Sequence, residues 1–246
     1  MPIRNAVVIP AYNEQEHISG TLDALSNQSV SPDAIVVVNN ASTDDTEAIV
    51  EERQEHESNL HLISESGQGA SFALNTGFRY AIDELDAGII GRTDADTQPN
   101  IQWLGSIVDY FQRHPEKKLL TGPSLPLHDA SFRRRDEILW PAAQIGYRLG
   151  NLATVRSLFP LRMAHGHNMA VRSKAFDSVG GFPKATWDEY YENVELSRRI
   201  YERYGFVALG YLFDMRVHTS MRRLRQKGYM GMVRSKGDMT RPPSNY

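Results

Sequence analysis

Two carboxylates one residue apart, Asp94-Ala95-Asp96, follow a short apolar run that ends at Gly91. Alternate residues leaving a strand end can set one carboxylate on a divalent cation and the other on a hydroxyl. Mg²⁺ and Mn²⁺ suit such a site, because hard cations take oxygen ligands and draw much of their shell from substrate phosphates. Taken alone, the pair could equally shape a turn or cap the helix that follows Pro99. Two further polar clusters trail apolar runs in the same way: Pro10-Ala11-Tyr12-Asn13-Glu14, and Asn39-Asn40-Ala41-Ser42-Thr43-Asp44. No Gly-x-Gly-x-x-Gly follows the first run and no Gly-x-x-x-x-Gly-Lys occurs, which disfavours a dinucleotide cofactor and a P-loop.

The chain of 246 residues is 41% hydrophobic and 23% charged, enough to bury a sizeable core. It contains no cysteine, so disulfides, thiolate nucleophiles and Cys-based metal sites are excluded, and any metal must sit on oxygen or imidazole. The net charge of −3 hides an asymmetry. Residues 1–100 hold 4 Lys/Arg against 17 Asp/Glu, leaving −13, whereas residues 216–241 hold 8 basic residues and one acid, leaving +7. A main half of that sign repels phosphate, so nucleic acid is not the expected partner, and a divalent cation could reverse the sign locally. No apolar run approaches the roughly 18 residues a spanning helix needs. The start of the chain lacks the pattern of a signal peptide, so a cytoplasmic protein is expected.

The elements that must position these groups read as an alternation of strands and helices. Residues 6–9, 35–38, 60–63 and 88–91 are short, apolar and rich in β-branched side chains, as strands buried on both faces are. Helices are expected over 14–25, where Ile18, Leu22 and Leu25 share a side, over 44–55 after a Ser42-Thr43-Asp44 cap-like cluster, and over 101–112. That order predicts a parallel sheet covered by helices, with ligands at the carboxyl ends of the strands. Beyond Leu120 the rhythm breaks: Pro123, Pro126, Pro141 and Pro160 punctuate a stretch containing Arg133, Arg134 and Arg135, read as an irregular acceptor-side insertion. Order returns at 168–171 and in a helix over 193–204.

Together these stretches resemble the family-2 glycosyltransferases, which have the GT-A nucleotide-diphospho-sugar transferase fold. The resemblance runs through Val7-Val8-Ile9-Pro10-Ala11-Tyr12-Asn13-Glu14, Val38-Asn39-Asn40-Ala41-Ser42-Thr43-Asp44, residues 67–77 and Asp94-Ala95-Asp96. It continues through Gly166-His167-Asn168-Met169-Ala170-Val171-Arg172, Val179-Gly180-Gly181-Phe182, Glu192-Asn193-Val194-Glu195-Leu196 and Thr219-Ser220-Met221-Arg222-Arg223. What it implies is a Rossmann-like α/β fold with a mostly parallel central sheet, helices on both faces and an acceptor-side region. Three parts are expected within one domain spanning 1–246: a nucleotide-sugar-binding half over 1–122, an acceptor-side half over 123–215, and a basic flap or tail over 216–246.

The resemblance further implies that Pro10, Ala11 and Tyr12 line the nucleobase, that Glu14 holds the ribose or base, and that Asn39, Asp94, Ala95 and Arg222 contact the nucleotide sugar. A base needs an apolar wall and stacking, and a carboxylate can accept from hydroxyl or N–H donors. The family usually has Asp where this chain has Asn39, which leaves base identity open. By the same analogy Asp96, with Asp94 beside it, takes Mg²⁺ or Mn²⁺, and His218 completes the metal shell. Arg222, Arg223 and Arg225 would lie over the pyrophosphate. His167, Asn168, Trp187 and Asn193 are expected to face a hydroxyl-bearing acceptor, be it a saccharide, a lipid-linked sugar or a small molecule.

An inverting transfer needs a carboxylate to take the acceptor proton. Here the chain departs from its family, because the usual Glu-Asp pair reads Glu192-Asn193 and an amide cannot act as a general base. Glu192, or Asp188 or Glu189 upstream, is therefore the expected base. A retaining transferase, a nucleotidyltransferase and a catalytically silent nucleotide-sugar-binding protein stay open as alternatives. The Gln-x-x-Arg-Trp signature of processive synthases is missing, so transfer of a single sugar is expected. Contact with the inner face of a membrane is open through the basic C-terminal stretch.

Overall fold

The computed structural model describes residues 4–155, 164–183, 189–226 and 228. The chain begins with β1 (Asn5–Ala11), α1 (Ile18–Ser26), β2 (Ala34–Asn39), α2 (Thr46–Gln54), β3 (Leu60–Ser64), α3 (Ala70–Asp83) and β4 (Ile89–Thr93). It continues through β5 (Thr97–Pro99), α4 (Trp103–Arg113), β6 (Leu119–Thr121), β7 (Ser124–Pro126) and α5 (Asp136–Val155). Last come β8 (Asn168–Arg172), α6 (Ser173–Ser178), α7 (Glu189–Tyr204), β9 (Leu209–Tyr211) and β10 (Val217–Thr219).

Among the described residues the strands form a main sheet in the order β3-β2-β1-β4-β8-β6-β9. The first four are mutually parallel, β8 runs antiparallel to both neighbours, and β6 and β9 are parallel. The expected mostly parallel sheet is thus present, and the later half of the chain contributes β8 and β9 to it. Burial explains the strands: every residue of β2 is buried, which only an apolar run covered on both faces permits. Alternate side chains serve two cores. Val8, Val36 and Val38 pack with Leu74, Phe78 and Phe176, while Val7, Ile9 and Val37 pack with Leu22, Trp103 and Phe111. Gly77 lets α3 come down onto the sheet, since a Cβ there would stand 2.6 Å from Val8 Cγ1 and 2.7 Å from Val38 Cγ2. A second sheet, β5-β10-β7, sits beside the end of β4 and joins β5 and β7 to a strand from far later in the chain.

Three expectations require correction. The helix expected from Glu14 begins at Ile18, because Asn13 adopts φ 54° and the Glu14 side chain is drawn into a polar cluster. The fourth strand extends past Gly91 to Thr93 and carries the charged Arg92 into the interior. The stretch read as irregular contains the 20-residue helix α5, which runs through Pro141. An interior proline costs a helix about 3 kcal/mol. Tertiary anchoring offsets it: Trp140 is buried and donates from Nε1 to Ser124 Oγ at 3.3 Å, and Gln144 Nε2 donates to the Ser124 carbonyl at 2.9 Å.

Candidate active site

The carboxyl ends of β1 and β4, the turns after β2 and β3, and the segment after β10 surround one cavity of about 480 Å³. Pro10, Ala11, Tyr12 and Glu14 supply one wall, and Asp94, Ala95 and Asp96 supply another. Tyr12 is exposed, its ring free to receive a planar group. The loops are held by side chains. Asn40 donates from Nδ2 to the carbonyls of Glu65 (2.9 Å) and Gly67 (2.7 Å) and accepts from the Gly69 amide (2.9 Å), which shapes the third wall. Asn39 is not on the wall: its side chain accepts from the Ser42 amide at 3.1 Å and stabilises the turn beneath. Asn13 and Glu14 are stitched to that turn, the Glu14 amide donating to Thr46 Oγ1 at 2.7 Å and Asn13 Oδ1 accepting from the Thr43 amide at 2.8 Å.

Three carboxylates and three guanidinium groups meet here. Arg222 reaches across from the segment after β10, donating from Nε to Asp96 Oδ2 at 3.1 Å and from Nη2 to Glu14 Oε1. Arg223 and Arg92 line the cavity as well. Burial pushes the Glu14 carboxyl up to about 7, with Asp96 adding to the rise and Arg222 opposing it. Burial and the adjacent Asp94 raise Asp96 also. Asp94 moves the other way: burial would raise it, but Arg92, His167 and Arg223 together hold it below the usual carboxylate range. Among the described residues no three His, Asp or Glu side chains form a ready metal cage. The donor set nonetheless fits Mg²⁺ or Mn²⁺, which need only one or two carboxylates when a diphosphate completes the shell. His218 is not brought to the carboxylates. Thr219 Oγ1 meets Thr97 Oγ1 at 2.8 Å on one face of β10, so His218 lies on the other, where burial, His128 and Arg216 hold its imidazole below the usual range.

Behind Asp94 a buried polar chain leads to α7. Arg92 Nη2 lies 3.3 Å from Asp94 Oδ1 and its Nη1 lies 3.0 Å from Glu192 Oε1. Ser71, in the first turn of α3, donates to Glu192 Oε2 at 3.1 Å. Glu192 is 1% exposed and does not line the cavity; Arg92 stands between. Gly166 allows this packing, because a Cβ there would meet Arg92 Nη2 at 3.0 Å. His167 contributes to the field at Asp94. Asn168 is committed elsewhere: its amide accepts from Trp103 Nε1 (2.9 Å) and donates to the Pro123 and Met215 carbonyls (3.0 and 2.8 Å), tying the two sheets together. Asn193 is buried and donates to the Ala164 carbonyl at 2.5 Å, while Ser197 Oγ accepts from the Ala164 amide at 3.1 Å. Trp187 and Asp188 lie outside the described residues.

The Asn193 contact explains the departure noted in the sequence. A carboxylate at that position would turn an acceptor toward the Ala164 carbonyl and lose that hydrogen bond. Asn193→Asp is therefore expected to cost about 1–3 kcal/mol of stability, the penalty of a buried unsatisfied polar group. Thermal or urea denaturation checks it; a midpoint equal to that of the unaltered chain would show that the amide does not clamp the segment.

Arg92, Ser71, Asn40 and His17 are site residues that sequence reasoning missed. His17 Nδ1 lies 3.8 Å from Glu14 Oε2 and its Nε2 lies 3.7 Å from Asp129 Oδ2, on the outer side of the cluster. A charge inside an apolar strand two positions before Asp94 was the one available signal for Arg92; Ser71 and His17 carried none.

A parallel sheet with a carboxylate pair after its fourth strand, a second small sheet beside it and the strand β8 returning antiparallel defines a GT-A glycosyltransferase domain. The chain belongs to glycosyl transferase family 2, whose model matches residues 6–180. The glycosyltransferase AglE of Haloferax volcanii is 29% identical over 185 residues, covering 72% of this chain and 55% of that protein. The chain spans about half the length of the curated relatives it matches. Among solved structures, mannosyltransferase PcManGT from Pyrobaculum calidifontis, in complex with GDP-Man and Mn²⁺, has a TM-score of 0.67 at 22% identity, covering 99% of this chain and 67% of that one. Glucosyl-3-phosphoglycerate synthase from Mycobacterium tuberculosis, with Mn²⁺ and UDP-glucose, has a TM-score of 0.67 at 18% identity, covering 94% and 76%. At these identities the likeness shows the fold.

Proposed function

We propose that the chain transfers a single sugar from a nucleotide-diphospho-sugar to a hydroxyl acceptor, with inversion at the anomeric carbon and dependence on Mg²⁺ or Mn²⁺. The observation that carries this reading is the convergence of Glu14, Asp94 and Asp96 with Arg222 and Arg223 on one cavity. Three carboxylates alone would repel a diphosphate; carboxylates beside guanidinium groups can hold a cation and an anionic donor together. The Mn²⁺ and nucleotide sugars bound to PcManGT and to the mycobacterial synthase support it.

In this reading Pro10, Ala11 and Tyr12 receive the base, Glu14 takes ribose hydroxyls, and Arg222 and Arg223 face the diphosphate. Asp96, with Asp94 beside it, would hold the cation, which supplies charge neutralisation for the departing nucleoside diphosphate. Glu192 is the acceptor-side base; its carboxylate lies behind Arg92, 3.0 Å from Nη1, so taking the acceptor proton requires Arg92 to move aside when the acceptor binds. His167 faces the acceptor, and Asn168 and Asn193 hold the segment that presents it. No helix among the described residues is long and apolar enough to cross a membrane.

Incubation with a panel of nucleotide sugars and Mn²⁺ tests the reading. Release of nucleoside diphosphate, accompanied by thermal stabilisation of the protein by the same donor, is expected. Release of pyrophosphate would mean nucleotidyl transfer. Stabilisation without any release, with a range of hydroxyl acceptors present, would mean a silent binding protein.

A further inference from the structure

One face of α5 is turned away from the rest of the protein. Trp140 and Gln144 fix the inner side of this helix to Ser124, and Trp140 packs with Met221 and Leu224. At 100° per residue, positions 138, 142 and 145 point the opposite way. There Ile138 is 75% exposed, Ile145 is 59% exposed and Ala142 is exposed between them, with Leu139 at 43% on the flank. Two large aliphatic side chains one above the other on an anchored helix form a stripe rather than scattered exposure.

Immediately before the helix, Arg133, Arg134 and Arg135 are all exposed. The nearby acids do not neutralise them: Asp136 is buried and paired with Arg225, and Glu137 lies 3.3 Å from His128. Cations at the amino end of a helix oppose its dipole, so the fold itself gains nothing from them there. An anionic surface outside the protein would gain. An aliphatic stripe bordered by an arginine cluster suits one occupant above others, a bilayer whose headgroups are anionic and whose acyl boundary accepts the side chains. The charge asymmetry sets the orientation, because residues 1–100 carry −13 and would be turned away from such a surface.

We propose that Arg133–Arg135 and the Ile138–Ile145 face of α5 dock this protein onto anionic lipid bilayers. The site differs from the basic C-terminal stretch, of which residues 229–246 lie outside the described residues. Cosedimentation with vesicles of equal parts phosphatidylcholine and phosphatidylglycerol, compared with pure phosphatidylcholine, tests it on the full chain. Binding is expected only to the anionic vesicles and should weaken with added salt, since screening shortens the reach of exposed charges. Combined Arg133→Glu, Arg134→Glu and Arg135→Glu should weaken it about a hundredfold or more, as each basic residue near such a surface contributes about one decade or slightly less. Ile138→Ser with Ile145→Ser should weaken binding while leaving the melting temperature unchanged. Absence of binding, undiminished binding by either variant, or equal loss in an Arg234→Glu, Lys236→Glu variant of the tail would overturn the proposal. So would a marked fall in melting temperature of the Ile138→Ser, Ile145→Ser variant, or a smaller oligomeric state of that variant than of the unaltered chain by light scattering, since each means that protein covers that face.

Discussion

Replacing Glu192 with Gln is expected to lower turnover by about 10² to 10⁴, the usual worth of general-base catalysis, while donor affinity survives. The carboxylate is buried, held by Ser71 on one oxygen and set 3.0 Å from the Arg92 guanidinium on the other. Burial pushes it up to about 7, with Arg92 and the Ser71 hydrogen bond opposing the rise. A base must be deprotonated to act, so the rate should climb as pH rises toward about 7 and level off above it. Glu192→Gln should lose that limb as well as the rate. A competing role predicts a different pattern: if Glu192 only anchors Arg92, which lines the cavity beside Asp94, its loss should weaken donor binding and leave the pH limb in place. Titrating donor into the variant by calorimetry, beside a pH-rate profile, separates the two. NMR of the first-formed product gives the anomer directly. A retained anomer, or full activity in both Glu192→Gln and Asp188→Asn, would sink the assignment and leave the donor half of the proposal standing.

The second large effect is expected at Asp96. Donor affinity measured with Mn²⁺ should fall about a hundredfold in Asp96→Asn, corresponding to loss of a charged contact of about 3 kcal/mol. It should fall to the level that EDTA produces in the unaltered protein. The physical reason is the sign of residues 1–100, whose −13 repels a diphosphate unless a cation or an arginine intervenes. Arg222 already engages Asp96 and Glu14, so the folded site neutralises part of its own charge before any ligand arrives. Equal affinity with EDTA and with Mn²⁺, or no change in the variant, would refute the metal dependence. His218→Ala belongs in the same titration. Because the groups acting on His218 are His128 and Arg216 and no carboxylate, its removal should leave the half-saturating Mn²⁺ concentration unchanged; a raised concentration would restore it as a ligand.

The amino-acid sequence by itself determined the parallel half of the sheet, the turns at its carboxyl ends and the class of chemistry they hold. Each rests on short-range signals: a continuous apolar run such as Ala34–Asn39 reports burial on both faces, and an Asp-x-Asp leaving such a run, in company with the polar clusters after the first two strands, marks the ligand end of the sheet. The long helix through Pro141 was not legible, because local propensity opposes it and the Trp140 and Gln144 contacts with Ser124 that favour it lie 16 and 20 residues away. The partners of the site were decided only by tertiary structure. Arg222 meets Asp96 across 126 positions and Glu14 across 208, and Ser71 meets Glu192 across 121. Arg92 was hidden for the opposite reason, since a charged residue inside a strand looks like the end of that strand until its two carboxylate partners are in place. Asn193 reads as a lost base in sequence and as a clamp on Ala164 in the fold, because an amide's value depends on which carbonyl it faces. Periodicity and residue type report what each segment buries. Which charge neutralises which is set by the topology that brings distant segments within a few ångströms.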